Sequence, residues 1–156
     1  MIRARFAFAS LWLVLVLVLG STYFAAQETG RFVLPCLKFV MPGTPSAQLQ
    51  AIHMVLRKLA HVAEYAVLAL LWLKALHHVA GRTRRTAAWM AFSICLACAF
   101  VDEAHQSTLP SRQGTARDFL IDAFGATAML MVARGRQGMG DSGGRLGGAV
   151  APEPLD

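Results

Sequence analysis

Charged residues are scarce in this chain. Asp, Glu, Lys and Arg make up 15% of its 156 residues, against about 25% in an ordinary soluble domain. That leaves too little water-facing surface for a separate soluble domain. Acidic residues are scarcest, nine against fifteen Lys and Arg. Cysteine is sparse too, and three is an odd number that implies no disulfide framework. Cys95 and Cys98 have C-x-x-C spacing, but inside an apolar run. A redox pair needs a polar, accessible helix N-terminus, so both are read as small buried hydrophobes. Cys36 stands alone in an expected loop. The basic excess, +6 overall, is cut into short groups by apolar runs. A nucleic-acid face would gather those charges on one surface, so no nucleic-acid partner is expected, and no cofactor is implied.

What the chain has is apolar sequence: 56% hydrophobic residues and a mean hydropathy of +0.48. A bilayer core of about 30 Å takes roughly 20 helical residues to cross. Four runs approach that length, and the expected fold is all-α, a polytopic four-helix transmembrane bundle. The spans are expected near 6–25, 59–79, 87–101 and 118–133. Arg3 and Arg5 before the first run resemble a signal-peptide n-region, but the run is long and Tyr23-Phe24-Ala25-Ala26 is a poor cleavage site. An uncleaved first helix is expected. Residues 27–46, with Gly30, Pro35, Pro42, Gly43 and Pro45, read as a loop, and Ser46 as the N-cap of the next helix. The membrane domain is expected over 1–134, with a disordered glycine-rich cytoplasmic tail over 135–156.

Orientation follows from Lys and Arg near helix ends. One side collects Arg3, Arg5, Arg82, Arg84, Arg85, Arg134 and Arg136. The other collects Arg31, Lys38, Arg57, Lys58, Arg112 and Arg117. The acid-free cluster at 82–85 decides for both termini inside.

In any such hairpin chain, the start of the second span, the end of the third and the start of the fourth share one membrane side. Those places hold Glu64, Asp102, Glu103, Asp118 and Asp122, five of the nine acids. With them come Arg57, Lys58, His61, His105, Gln106, Arg112 and Arg117. Lys58, His61, Glu64 and Tyr65 fall within an arc of roughly 120° on one helix. Glu64 lies about 9 Å along the helix from Lys58. A lipid-facing carboxylate there costs about 2.5–3.5 kcal/mol, so Glu64 and Asp122 are expected to face the bundle interior. Partners are expected in Lys58 or Arg112, joined to Glu64, Asp102 or Asp122. Taken singly, these residues could equally be snorkelling cations, helix-terminal charges or a satisfied core histidine. Their convergence on one layer is what points to a cleft. Lys74, His77 and His78 lie toward the other face and read as interfacial.

Three ordered blocks in this region resemble the VanZ-like membrane protein family. They are Lys58-x-x-His61-x-x-Glu64-Tyr65-Ala66-Val67-Leu68, then Asp102-Glu103-x-His105-Gln106 with Pro110-Ser111-Arg112, then Asp118, Asp122 and Gly125. They cover about residues 57–130. Ser111 stands where glycine is usual, Asp122 where asparagine is common, and the glycine-rich end of the last helix is reduced to Gly125-Ala126. The resemblance implies a multi-pass protein of the bacterial cytoplasmic membrane. It also implies a link to resistance against teicoplanin, a lipid-bearing glycopeptide. It does not by itself imply an enzyme.

Three functional readings stand side by side. In the first, Lys58, Arg112 and Arg117 hold the phosphate or carboxylate of an anionic or amphipathic envelope molecule at the outer leaflet, Glu64, Asp102 and His61 orient them, and Tyr65, Gln106, Asp118 and Asp122 complete the ligand-binding set. In the second, an intramembrane hydrolase or transferase uses His61 or His105 as general base with Glu64, Asp102 or Glu103 beside it. A metal-assisted form would draw on the same five residues. No HExxH or comparable spacing supports it, and no metal is assigned. In the third, the chain is a structural bundle or partner subunit. Membrane lipids are the expected partners in every case.

Overall fold

Bulky apolar side chains lie outside this molecule and small ones inside. Phe8, Leu11, Phe100, Phe124 and Met131 are each more than 60% exposed. Among the described residues, half of the sixteen buried hydrophobic ones are alanines, including Ala69, Ala91, Ala99 and Ala126. A water-soluble protein does the reverse, whereas helices in lipid associate by bringing small residues together.

The computed structural model describes residues 2–79, 81–108 and 116–146, without the side chains of residue 22 and of 136–146. Every regular element among them is helical. In order they are α1 (Ile2–Leu19), a single 3-10 turn (Thr22–Phe24), α2 (Ala26–Val40), α3 (Ser46–His77), α4 (Arg84–Ser107) and α5 (Ala116–Leu146). α3 is the spine, with α1, α2, α4 and α5 all packed against it. Val16, Tyr65, Leu68, Cys98 and Ala126 form one core cluster, joining α1, α3, α4 and α5. A second cluster joins Leu73, Leu76, Ala87 and Ala91, with Phe6 and Ala133 packed against it. The two clusters stack along the bundle.

Among the described residues, three helices are long and apolar enough to cross a membrane: α1, α3 and α4. The fourth expected span, inside α5, is not among them, because Arg117, Asp118 and Asp122 interrupt the start of its apolar run.

Residues 27–46, expected as a loop, contain α2. Its inward side carries Thr29, the buried Gly30, Val33 and Leu37 at helical spacing. Pro35 removes a helical hydrogen bond, but it sits on the exposed side with Arg31, whose carbonyl it leaves free of that bond. Tertiary packing on α3 outweighs the breaker. α3 does begin at Ser46, but as its first residue. Pro45 holds the cap position, and its carbonyl accepts from the N–H groups of Gln48 and Leu49. α4 begins a turn earlier than its apolar run because Thr83 caps it, accepting from Thr86 N at 3.2 Å. α1 ends at Leu19, short of residue 25. α5 continues to Leu146, into the stretch expected as tail. The rest of that tail lies outside the described residues.

Candidate functional site

The polar residues of three helices meet at the end of the bundle where α1 stops. On α3, His61 and Glu64 stand one turn apart. On α5, Asp122 is fully buried, its Oδ1 3.2 Å from His61 Nδ1. That is an ion-pair distance, reached at an angle short of a hydrogen bond, and Asp122 Oδ2 has no hydrogen-bond partner among the described residues. On α4, Asp102 is 2% exposed and accepts from Gln106 Nε2 at 2.8 Å. Glu64 lies within electrostatic reach of His61, Asp122, Asp102 and Arg57. Asp102 and Gln106 share a face because they are four residues apart, and Glu103 beside them is also buried. Below this layer Tyr65 is fully buried, its hydroxyl 3.9 Å from Cys98 Sγ.

Two glycines bring the backbones close enough for this. A Cβ on Gly125 would overlap the carbonyl oxygen of Val62, so α5 touches the α3 backbone one residue from His61. A Cβ on Gly20 would overlap the carboxylate of Asp102, so the end of α1 closes over α4. Trp12 Nε1 also donates to Glu64 O at 3.0 Å, fixing α1 against α3 at the same depth.

The rim is looser. Lys58 Nζ is 4.0 Å from Asp118 Oδ1, with about a third of each side chain exposed. Lys58 therefore meets Asp118, one turn above Asp122, where a partner among Glu64, Asp102 and Asp122 was expected. Arg57 Nη1 donates to Phe24 O at 2.7 Å and to Thr29 Oγ1 at 3.0 Å, and Thr29 Oγ1 lies 3.2 Å from His53 Nε2. This strap fastens α2 to α3 beside the layer. His105 and Arg117 are exposed and lie outside the buried cluster. Arg112, with Pro110 and Ser111, lies outside the described residues. The structure thus unites His61, Glu64, Asp102, Gln106 and Asp122, with Glu103 adjoining and Lys58 and Asp118 at the edge.

Trp12, Gly20, Thr29 and His53 are contributions that the sequence did not announce. Only Gly20 carried a signal, as a glycine closing an apolar run. Among the described residues, no group of three or more His, Cys, Asp or Glu side chains is arranged to hold a metal ion.

Apolar helices around a buried polar layer define an all-helical membrane protein with its ionisable residues turned inward. Residues 6–136 match the VanZ/LLP1 family, and the chain belongs to that family. Comparison with the curated proteins and with the solved structures gave no match.

Proposed function

We propose that this VanZ-like protein lowers susceptibility to lipid-bearing glycopeptides such as teicoplanin. In this reading it does so by binding an amphipathic envelope molecule over its polar layer, at the outer face of the bacterial cytoplasmic membrane. The observation that carries the reading is the convergence of His61, Asp102 and Asp122 from three helices beneath a partly exposed Lys58. A loose exposed ion pair is worth about 0–1 kcal/mol, so a phosphate or carboxylate headgroup can replace Asp118 at Lys58 at little cost. Arg117 and Arg112 would add bidentate donors. In this topology α5 is the fourth span and both termini are cytoplasmic, since the acid-free arginines lie at the opposite end.

The test is expression in a susceptible bacterial host. Cells with the wild-type chain should tolerate more teicoplanin, but no more of a glycopeptide lacking the acyl chain. Asp102→Asn should abolish the gain at unchanged protein abundance. Unchanged susceptibility with abundant wild-type protein would sink the reading. A second reading rests on the His61–Asp122 pair, which resembles a base held by a carboxylate: an intramembrane hydrolase or transferase. A lipid product that appears with the wild type and disappears with His61→Ala would favour it over simple binding.

A further inference from the structure

We infer that the end of the bundle opposite the polar layer carries a separate binding site for an anionic phospholipid, on the outward face of α4. A surface groove of about 580 Å³ runs there, lined by Arg85, Thr86, Trp89, Met90, Ser93 and Ile94. Its walls are two adjacent ridges of residues four apart, Arg85–Trp89–Ser93 and Thr86–Met90–Ile94. Arg85 and Thr86 stand at one end, and Trp89, Met90 and Ile94 line most of the rest with Ser93 as the one polar group among them, a distribution that suits a lipid. The Arg85 guanidinium and Thr86 hydroxyl suit a phosphate. Trp89, 61% exposed, suits the glycerol and upper acyl region beside it. Seventeen residues separate Arg85 from Asp102, about 25 Å along α4, so the groove opens at the far interface from the polar layer.

Charge selects the headgroup. Phe6 packs on Trp72, and Leu76 and Ala87 share a core cluster with Ala133 against it, so the start of α1, the end of α3, the start of α4 and the later part of α5 meet. That end carries Arg3, Arg5, Arg82, Arg84, Arg85 and Arg134. All six acidic residues with described side chains lie elsewhere, between Glu28 and Asp122. Arg84 is engaged, donating to Ala133 O at 2.9 Å. Arg85 is exposed at the groove mouth. A net negative headgroup is matched there, and a zwitterionic one is not.

The full-length protein, reconstituted in mixed phosphatidylglycerol and phosphatidylcholine nanodiscs and released for native mass spectrometry, tests this. Wild type should retain phosphatidylglycerol in preference. Arg85→Gln should lower that preference by about fivefold, the factor one arginine is worth at an anionic surface. Arg82→Gln, which removes the same charge outside the groove, should lower it less. Ser93→Phe fills the groove without altering charge and should also lower retention. Equal retention of the two lipids would overturn the site. So would equal losses from Arg82→Gln and Arg85→Gln, or full retention by Ser93→Phe. Lys58→Gln, which removes the cation at the rim of the polar layer, should leave the preference intact, which separates this site from that layer.

Discussion

Replacing Gly125 with alanine is the sharpest test of how the polar layer is assembled. The new Cβ would lie 3.0 Å from Val62 Cα, 3.1 Å from its carbonyl carbon, and closer still to its oxygen. An ordinary C···O contact is about 3.3–3.6 Å. These are backbone atoms of a helix, so no side chain can swing aside, and α5 must part from α3 by roughly 1 Å. Overpacking of this kind costs about 1–3 kcal/mol. Alanine in place of glycine returns about 1 kcal/mol through helix propensity, so the raw effect understates the clash. Gly135, on the same helix with nothing within 4 Å of its Cβ position, supplies the reference. Gly135→Ala should be neutral or slightly stabilising, and Gly125→Ala should fall below it by about 1–3 kcal/mol. The two variants would be unfolded side by side in the same nanodiscs, followed by tryptophan fluorescence. If they unfold together, the close approach of α5 to α3 is not what holds Asp122 beside His61.

His61→Leu should destabilise by about 3–5 kcal/mol by stranding buried Asp122, and adding Asp122→Leu should recover most of the loss; a double variant no better than the single one would count against the pair. Cys95→Ser with Cys98→Ser should keep the proposed teicoplanin phenotype at normal abundance, because both cysteines are buried in the bundle core away from water. Cys36 is the exposed cysteine. A membrane-impermeant maleimide added to intact cells should label Cys36 in wild type, and should miss a cysteine placed at Arg82 in a Cys36→Ser background. The opposite pattern would invert the proposed orientation.

The layer was legible because burying charge in a membrane leaves few options. Glu64 and Asp122 had to turn inward, and helical spacing put His61 on one arc with Glu64; that His61 would meet Asp122 was not foreseen. Which cation met which acid was not legible. Lys58 lies two turns above Glu64 on α3, and its depth matches Asp118 better than Asp122. Only the relative rise of α3 and α5 fixes that, and the Gly125–Val62 contact sets it. α2 was hidden for a different reason. Gly30, Pro35 and Pro42 are genuine breakers in isolation, and a helix of fifteen residues gains little alone. It exists because Thr29 and Gly30 reach His53 and Arg57 of α3. No local pattern can report a partner more than twenty residues away.

The three helices long enough to cross give one measure of where the layer sits. Arg5 on α1 to Gly20 just past its end, His61 to His77 on α3, and Arg85 to Asp102 on α4 each span about 22–25 Å along the helix. α5 gives about 18 Å from Asp122 to Arg134. Independent runs of different sequence therefore hold the basic end and the acid layer within about 25 Å of each other. That separation falls short of the roughly 30 Å hydrocarbon core. With the arginines held at their interface, the acid layer lies inside the opposite boundary rather than on it. Full burial of Asp122 and near-full burial of Asp102 fit that depth. A surface anchor would need neither the glycine contacts nor the inward turn. Residues placed several ångströms below the headgroups, each at an unfavourable depth, are costly to keep unless the position itself is used.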